Sequence, residues 1–263
     1  MKKISLITSL ALLTSLGLVG CGGGGSVNSS IQENISIAGT AIDPELQNAT
    51  VCLDLNQDMS CSQEEPTATT DENGTFSLSV SQAQVDGNYP LIVMNGTDRE
   101  SGEAFKGKLM ADVNTTMQNI TPLTTLAYAH KEKDMEKMEK MLGITHDEIH
   151  ENMIKAAEER GDIAPLKIAL TLEKSAEALV PEDPFAFYKN CSEAIEHAKS
   201  TSSLTSIILS ITPVTMRSKM DSFLKEVLNT SISDAYALSE FTRDATLRWG
   251  IDHESMLEEI INP

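Results

Sequence analysis

Asp54, Asn56, Asp58, Ser60, Ser62 and Glu65 set oxygen-bearing side chains at relative positions 1, 3, 5, 7, 9 and 12 of one stretch. In a loop so spaced, alternate side chains turn inward and a last carboxylate closes the shell with both oxygens. Calcium is a hard ion that takes roughly 6–8 oxygens, and three carboxylates with an Asn carbonyl supply enough negative charge. The spacing therefore predicts a structural calcium site on Asp54, Asn56, Asp58, Ser60 and Glu65. Met59 stands where the sharp turn usually has Gly, which predicts a differently turned backbone and weak affinity. The competing reading is a polar surface loop between two strands. Cys52 and Cys61 bracket the loop. If they pair, they close about ten residues, worth roughly 2.5–3 kcal/mol in the chain-entropy model. Such pairing belongs to an oxidising compartment.

The start of the chain points to that compartment. Lys2 and Lys3 precede an uncharged apolar run from Ile4 to Leu18, followed by Leu18-Val19-Gly20-Cys21. A basic flank and a short apolar run make residues 1–20 a secretory signal, too short for a stable membrane span. LVGC matches the bacterial lipobox, in which the Cys becomes the lipidated first residue, so Cys21 is the expected lipidation site, carrying palmitate among its acyl chains. Residues 21–30 continue as a flexible Gly- and Ser-rich tether. No Asp follows Cys21, which by resemblance to diderm lipoproteins favours the outer membrane. The formal charge is −19, and residues 1–20 hold two lysines and no acids, which leaves about −21 from Cys21 onward. That balance argues against nucleic acid or an anionic lipid surface as partner.

Short strands should carry the acidic loop. Ile35 and Ile37 alternate with polar residues, as do Val51 and Leu53, then Phe76, Leu78 and Val80. Asp71-Glu72-Asn73-Gly74 signals a tight turn. Leu91 to Met94 is apolar throughout and predicts a central strand buried on both faces. Phe105, Gly107 and Leu109 predict a further strand. About six strands over residues 31–120 read as an antiparallel β-sandwich.

The segments AGTAID, ATVCLDLNQD, EEPTATTDENGTFSL, LIVMNGT and ITPLTTL, spanning about Ile35 to Leu126, resemble a module recurrent in bacterial lipoproteins and large surface adhesins. It is related in type to carboxypeptidase-regulatory-like, collagen-adhesin B-type and transthyretin-like (prealbumin-like) sandwiches. The resemblance implies a sandwich, often calcium-associated, used as a stalk or binding module and not as a catalyst. It also implies Asp54, Asn56, Asp58 and Glu65 as cation ligands.

Residues 121–263 read as an all-α, bundle-like region, which makes the chain α+β and multi-domain. Thr121-Pro122 opens a helix. Met135, Met138 and Leu142 then line one face, with Lys and Glu on the other, and Thr145 with Glu148 forms a capping box. A helix ends near Arg160 before Gly161. Leu166 to Ala176 marks another, and Asp183-Pro184 and Thr212-Pro213 repeat the cap-then-Pro start. A last pair runs from about Ser233 to Trp249 and from Asp252 to Ile261.

Other chemistry is thin. His146 and His150 stand one turn apart, but Asp147 follows the first His where a zinc-protease helix needs Glu, so a solvated acidic helix start is preferred. Methionines at helical spacing read as core filler rather than copper ligands. Lys131 to Lys140 reads as an exposed charged face, and Cys191 reads as core. Phe241, Arg248 and Trp249 read as packing near the last helices. No GxSxG, P-loop or dinucleotide fingerprint is present. The sequence thus predicts a lipid-anchored envelope protein, not an enzyme, whose partners are the bilayer through Cys21 and a protein or glycan. The alternatives are an enzyme or enzyme accessory with its site in the helical half, or a binder of a small hydrophobe in a Met- and Leu-lined helical cavity.

Overall fold

The computed structural model describes residues 34–99, 101–114, 118–131 and 133–251. The expected secretory signal, lipidation site Cys21 and tether, and the helix expected over Asp252–Ile261, lie outside the described residues.

β1 (Asn34–Ala41) pairs antiparallel with β5 (Thr75–Ser81) and parallel with β9 (Gln118–Ile120). The parallel pair departs from the expected all-antiparallel arrangement. Gly39 permits it, because a Cβ there would meet the Gln118 carbonyl oxygen at 1.7 Å. The second sheet is antiparallel, in the order β4 (Thr67–Thr69), β3 (Thr50–Leu53), β6 (Pro90–Met94), β8 (Lys108–Asp112). A short ribbon joins β2 (Leu46–Gln47) to β7 (Thr97–Asp98). The strand expected around Phe105 begins only at Lys108. Between β4 and β5, Gly74 takes φ 70°, which its turn requires of a residue without a side chain.

Alternation along the strands sorts the core into two layers. Ile37, Phe76, Leu78 and Val80 of the first sheet meet Val51, Leu53, Leu91, Val93, Leu109 and Ala111 of the second. On the opposite face, Cys52, Ile92 and Met110 pack among helical residues. β6 is therefore buried on both faces, by the other sheet on one side and by helices on the other. The free edge of β8 is also covered. In α2 (Pro122–His130), Thr125 Oγ1 accepts the Met110 N–H at 2.9 Å, and Thr124 Oγ1 donates to the Met110 carbonyl at 3.1 Å. Both threonines thus satisfy backbone groups that an edge strand otherwise leaves open.

The local rules that start and stop the helices hold at most ends. Thr121 caps α2, with its hydroxyl accepting the N–H groups of Leu123 and Thr124. α3 (Met135–Leu142) ends on left-handed Gly143, and α4 (His146–His150) opens with the Thr145/Glu148 capping box. α5 (Met153–Arg160) ends on Gly161 at φ 70°. α6 (Ala164–Leu179), α7 (Pro184–His197), α8 (Leu204–Ile211), α9 (Arg217–Asn229) and α10 (Ala235–Trp249) follow. A further short helix, α1 (Gln82–Asp86), lies among the strands. Thr212 does not start a helix as expected. Its hydroxyl donates to the Ile208 carbonyl and so closes α8, and a 3-10 turn over Val214–Met216 leads into α9.

Candidate functional site

The acidic loop is built as a knot of side-chain-to-backbone hydrogen bonds. Asp54 is fully buried; its Oδ1 accepts the Asp58 N–H at 3.2 Å and its Oδ2 the Met59 N–H at 2.9 Å. Asn56 Oδ1 accepts the Asp58 N–H at 2.9 Å, and Asp58 Oδ1 accepts the Ser60 N–H at 2.8 Å. Glu65, also buried, reaches back to accept the N–H groups of Leu55 and Ser62, at 2.9 and 2.8 Å. Cys52 and Cys61 form a disulfide across the loop. Burial pushes the Asp54 carboxyl up and the Glu65 charge adds to the rise, while the Met59 and Asp58 amides oppose it.

Met59 takes φ 63° and so supplies the left-handed turn that Gly usually makes. That conformation costs an L-residue about 1–2 kcal/mol. The side chain offsets the cost by packing against the helical core, and the Lys108 ammonium donates to the Met59 carbonyl. The donors suit calcium in kind. Among the described residues no three acid, imidazole or thiol groups are close enough to hold one ion.

Other side chains singled out from the sequence have structural surroundings. The His146 and His150 rings lie 4.7 Å apart, and His146 faces Glu139 at 3.3 Å on an exposed helix start. Lys133 and Lys137 reach across to Glu193 and the Glu196 carbonyl of α7, at 2.5 and 2.6 Å, instead of forming only a solvated face. Cys191 is fully buried, and burial pushes its thiol well up. Trp249 Nε1 and Arg248 both donate to Glu226 of α9.

A second constellation was not anticipated. A cavity of about 240 Å³ lies where the turn after β1 and the segment after β7 face α6 and α10. Its walls carry six carboxyl groups, those of Asp43, Asp98, Glu103, Glu173, Glu177 and Glu240, against the two cations Lys174 and Arg243. It holds none of the Met and Leu lining a hydrophobic ligand would need. Asp43 is 4% exposed and Glu173 5%. Among the described residues no other group donates to either Asp43 oxygen or to Glu173 Oε2, and the two carboxyls lie within hydrogen-bonding reach of each other. Lys174 Nζ reaches Glu173 Oε1 at 2.5 Å and Glu177 Oε2 at 3.1 Å.

Burial pushes the Asp43 carboxyl up to about 8, with Lys174 opposing and Glu177 reinforcing the rise. Burial also holds the Glu173 carboxyl well above its ordinary range, and the neighbouring Asp43 charge adds to it. Glu173 carried a legible signal, since it falls in the buried stripe Leu166, Ala169, Glu173, Ala176, where an apolar residue belongs. Asp43 carried none, because Asp-Pro reads simply as a turn.

No family model matches the chain, and no curated protein or solved structure is similar to it.

Proposed function

We propose that the chain is a binding protein of the bacterial envelope, anchored to the outer membrane through lipid on Cys21 and built on a disulfide- and calcium-stiffened β-sandwich. The Cys52–Cys61 disulfide closing the loop around buried Asp54 carries this reading. A structural disulfide persists in an oxidising compartment, which is where the lipobox directs the chain. Two sheets contributing to one apolar core support the sandwich resemblance. Calcium, where bound, would supply positive charge that relieves repulsion among loop carboxylates, with Asp54, Asn56, Asp58, Ser60 and Glu65 as its holders. The role is binding rather than catalytic, toward a protein or glycan partner.

Two experiments test it. Cells expressing the chain are labelled with radioactive palmitate and fractionated, beside a Cys21→Ala variant. Label in the outer membrane that the variant lacks supports the anchor, and an unlabelled soluble product sinks it. Thermal unfolding is then followed in millimolar calcium and in chelator for the chain and for Asp58→Ala, whose carboxylate is exposed. Mass action predicts a calcium-dependent rise in melting temperature that the substitution diminishes. Equal melting in both solutions would leave the loop a polar turn held by its cysteines.

A further inference from the structure

We infer that the cavity between the segment after β7 and helices α6 and α10 binds a small organic amine with more than one positive charge, whose ammonium group is received by Asp43 and Glu173. This does not depend on the anchor or on the calcium loop. The first argument is the missing partner. Three buried carboxyl oxygens on two residues face one cavity, and apart from a proton that Asp43 and Glu173 can share, no donor among the described residues reaches them. Leaving a buried polar group unsatisfied is costly, so such groups call for an explanation, and a ligand donor is one. An ammonium group offers three donors in the required sign.

Charge gives the sign of the ligand and geometry its chemical class. Six carboxyl groups against two cations select a cation. Lys174 is already engaged by Glu173 and Glu177. A bare divalent ion would have to share these carboxylates with the Lys174 ammonium already placed among them. Phe105 lines the same cavity and offers an apolar, aromatic surface for methylenes or for the cation itself. A volume of about 240 Å³ suits a small molecule. More than one charge follows from two carboxylate positions: the buried pair Asp43 and Glu173, and the exposed edge at Glu103 and Glu240.

Binding would be an exchange of a proton for an ammonium group. Near pH 7 the Asp43 carboxyl, raised to about 8, mostly holds its proton. An ammonium ion that replaces it stabilises the carboxylate, and the proton passes to the buffer. The charged and titratable groups facing Asp43 are Glu173, Lys174 and Glu177 of α6, Asp98 of β7 and Tyr188 of α7. Glu240 and Arg243 of α10 line the same space.

The test is calorimetric titration of the full chain in non-ionic detergent with 1,4-diaminobutane, butylamine and magnesium chloride. Each is run at pH 7 in two buffers of different ionisation enthalpy. The expected result is saturable one-to-one diamine binding that releases up to about one proton, with butylamine about tenfold weaker and magnesium weaker still. Asp43→Asn should weaken the diamine by about tenfold, the equivalent of about 1.4 kcal/mol, and reduce proton release. If that variant does not fold, Glu103→Gln/Glu240→Gln at the exposed edge should weaken binding by about threefold while keeping proton release. Diamine binding that neither releases protons nor responds to either variant would mean general attraction to an acidic surface, and would overturn the inference. Magnesium binding as tight as the diamine, or no saturable binding at all, would overturn it equally.

Discussion

Asp43, in the turn after β1, and Glu173, in the middle of α6, line one cavity within hydrogen-bonding reach of each other, with carboxyl oxygens to which no other described residue donates. Burial raises both carboxyls and outweighs the relief that Lys174 gives; the Asp43 charge adds to the rise at Glu173, while the hydrogen bond from Glu173 opposes it at Asp43. This pair joins the strand-rich and helical parts through a contact that costs stability.

Stability should therefore depend on pH in a way that Asp43→Asn removes. A carboxyl raised in the folded state from 3.8 to about 8 binds more protons folded than unfolded between those values. Its contribution is greatest below the lower value, declines by up to about 1.4 kcal/mol per pH unit through the window, and is level above about 8. Asn mimics the protonated carboxyl in shape. Urea unfolding at pH 5 and pH 8 should show the variant gaining on the natural chain as pH rises. A difference independent of pH would mean that Asp43 is ionised throughout.

Gly39→Ala should destabilise the fold by about 1–3 kcal/mol, the usual range for overpacking. The obstacle is the Gln118 backbone carbonyl, which cannot rotate away as a side chain would. Chemical denaturation measures the loss, and a loss below about 0.5 kcal/mol would mean that β9 shifts freely relative to β1.

Replacing both Cys52 and Cys61 by Ser should cost roughly 2.5–3 kcal/mol, because the closed loop is short. The midpoint in urea should fall with little change in slope. Asp54, buried and bonded to the Met59 and Asp58 amides, should hold the turn in the reduced chain.

Cys191 should resist maleimide at pH 8 in the native chain and react at once in denaturant. It is fully buried on α7 and its thiol is pushed well above the ordinary range, so little thiolate is accessible. Fast native labelling, followed by mass spectrometry of the tryptic peptide, would show that α7 opens readily.

Much of the framework was legible because local chemistry decides it. Thr121 before Pro122, Thr145 with Glu148 and Gly161 after Arg160 set helix ends whatever the tertiary context. The apolar run from Leu91 to Met94 announced a strand with no solvent face. The sharper features depend on distant partners. The parallel seat of β9 needs the close approach at Gly39, and Thr212 looks like a helix start until its hydroxyl is seen bonded to Ile208. The site divides in the same way. The loop oxygens show in their spacing, whereas Asp43 acquires meaning only when α6 brings Glu173 beside it.

The position of β6 has a consequence for how the chain is made. Ile92, Met110 and Cys52 form one side of a sheet whose cover is supplied by helices that follow it in sequence. A polypeptide emerging from its N-terminus would display that apolar side until α2 and its neighbours arrived. A truncation after Ile120 should accordingly not yield a soluble sheet module but a sticky, chaperone-dependent one. The border between strands and helices, so plain in the residue pattern, is a change of element and not a place to cut.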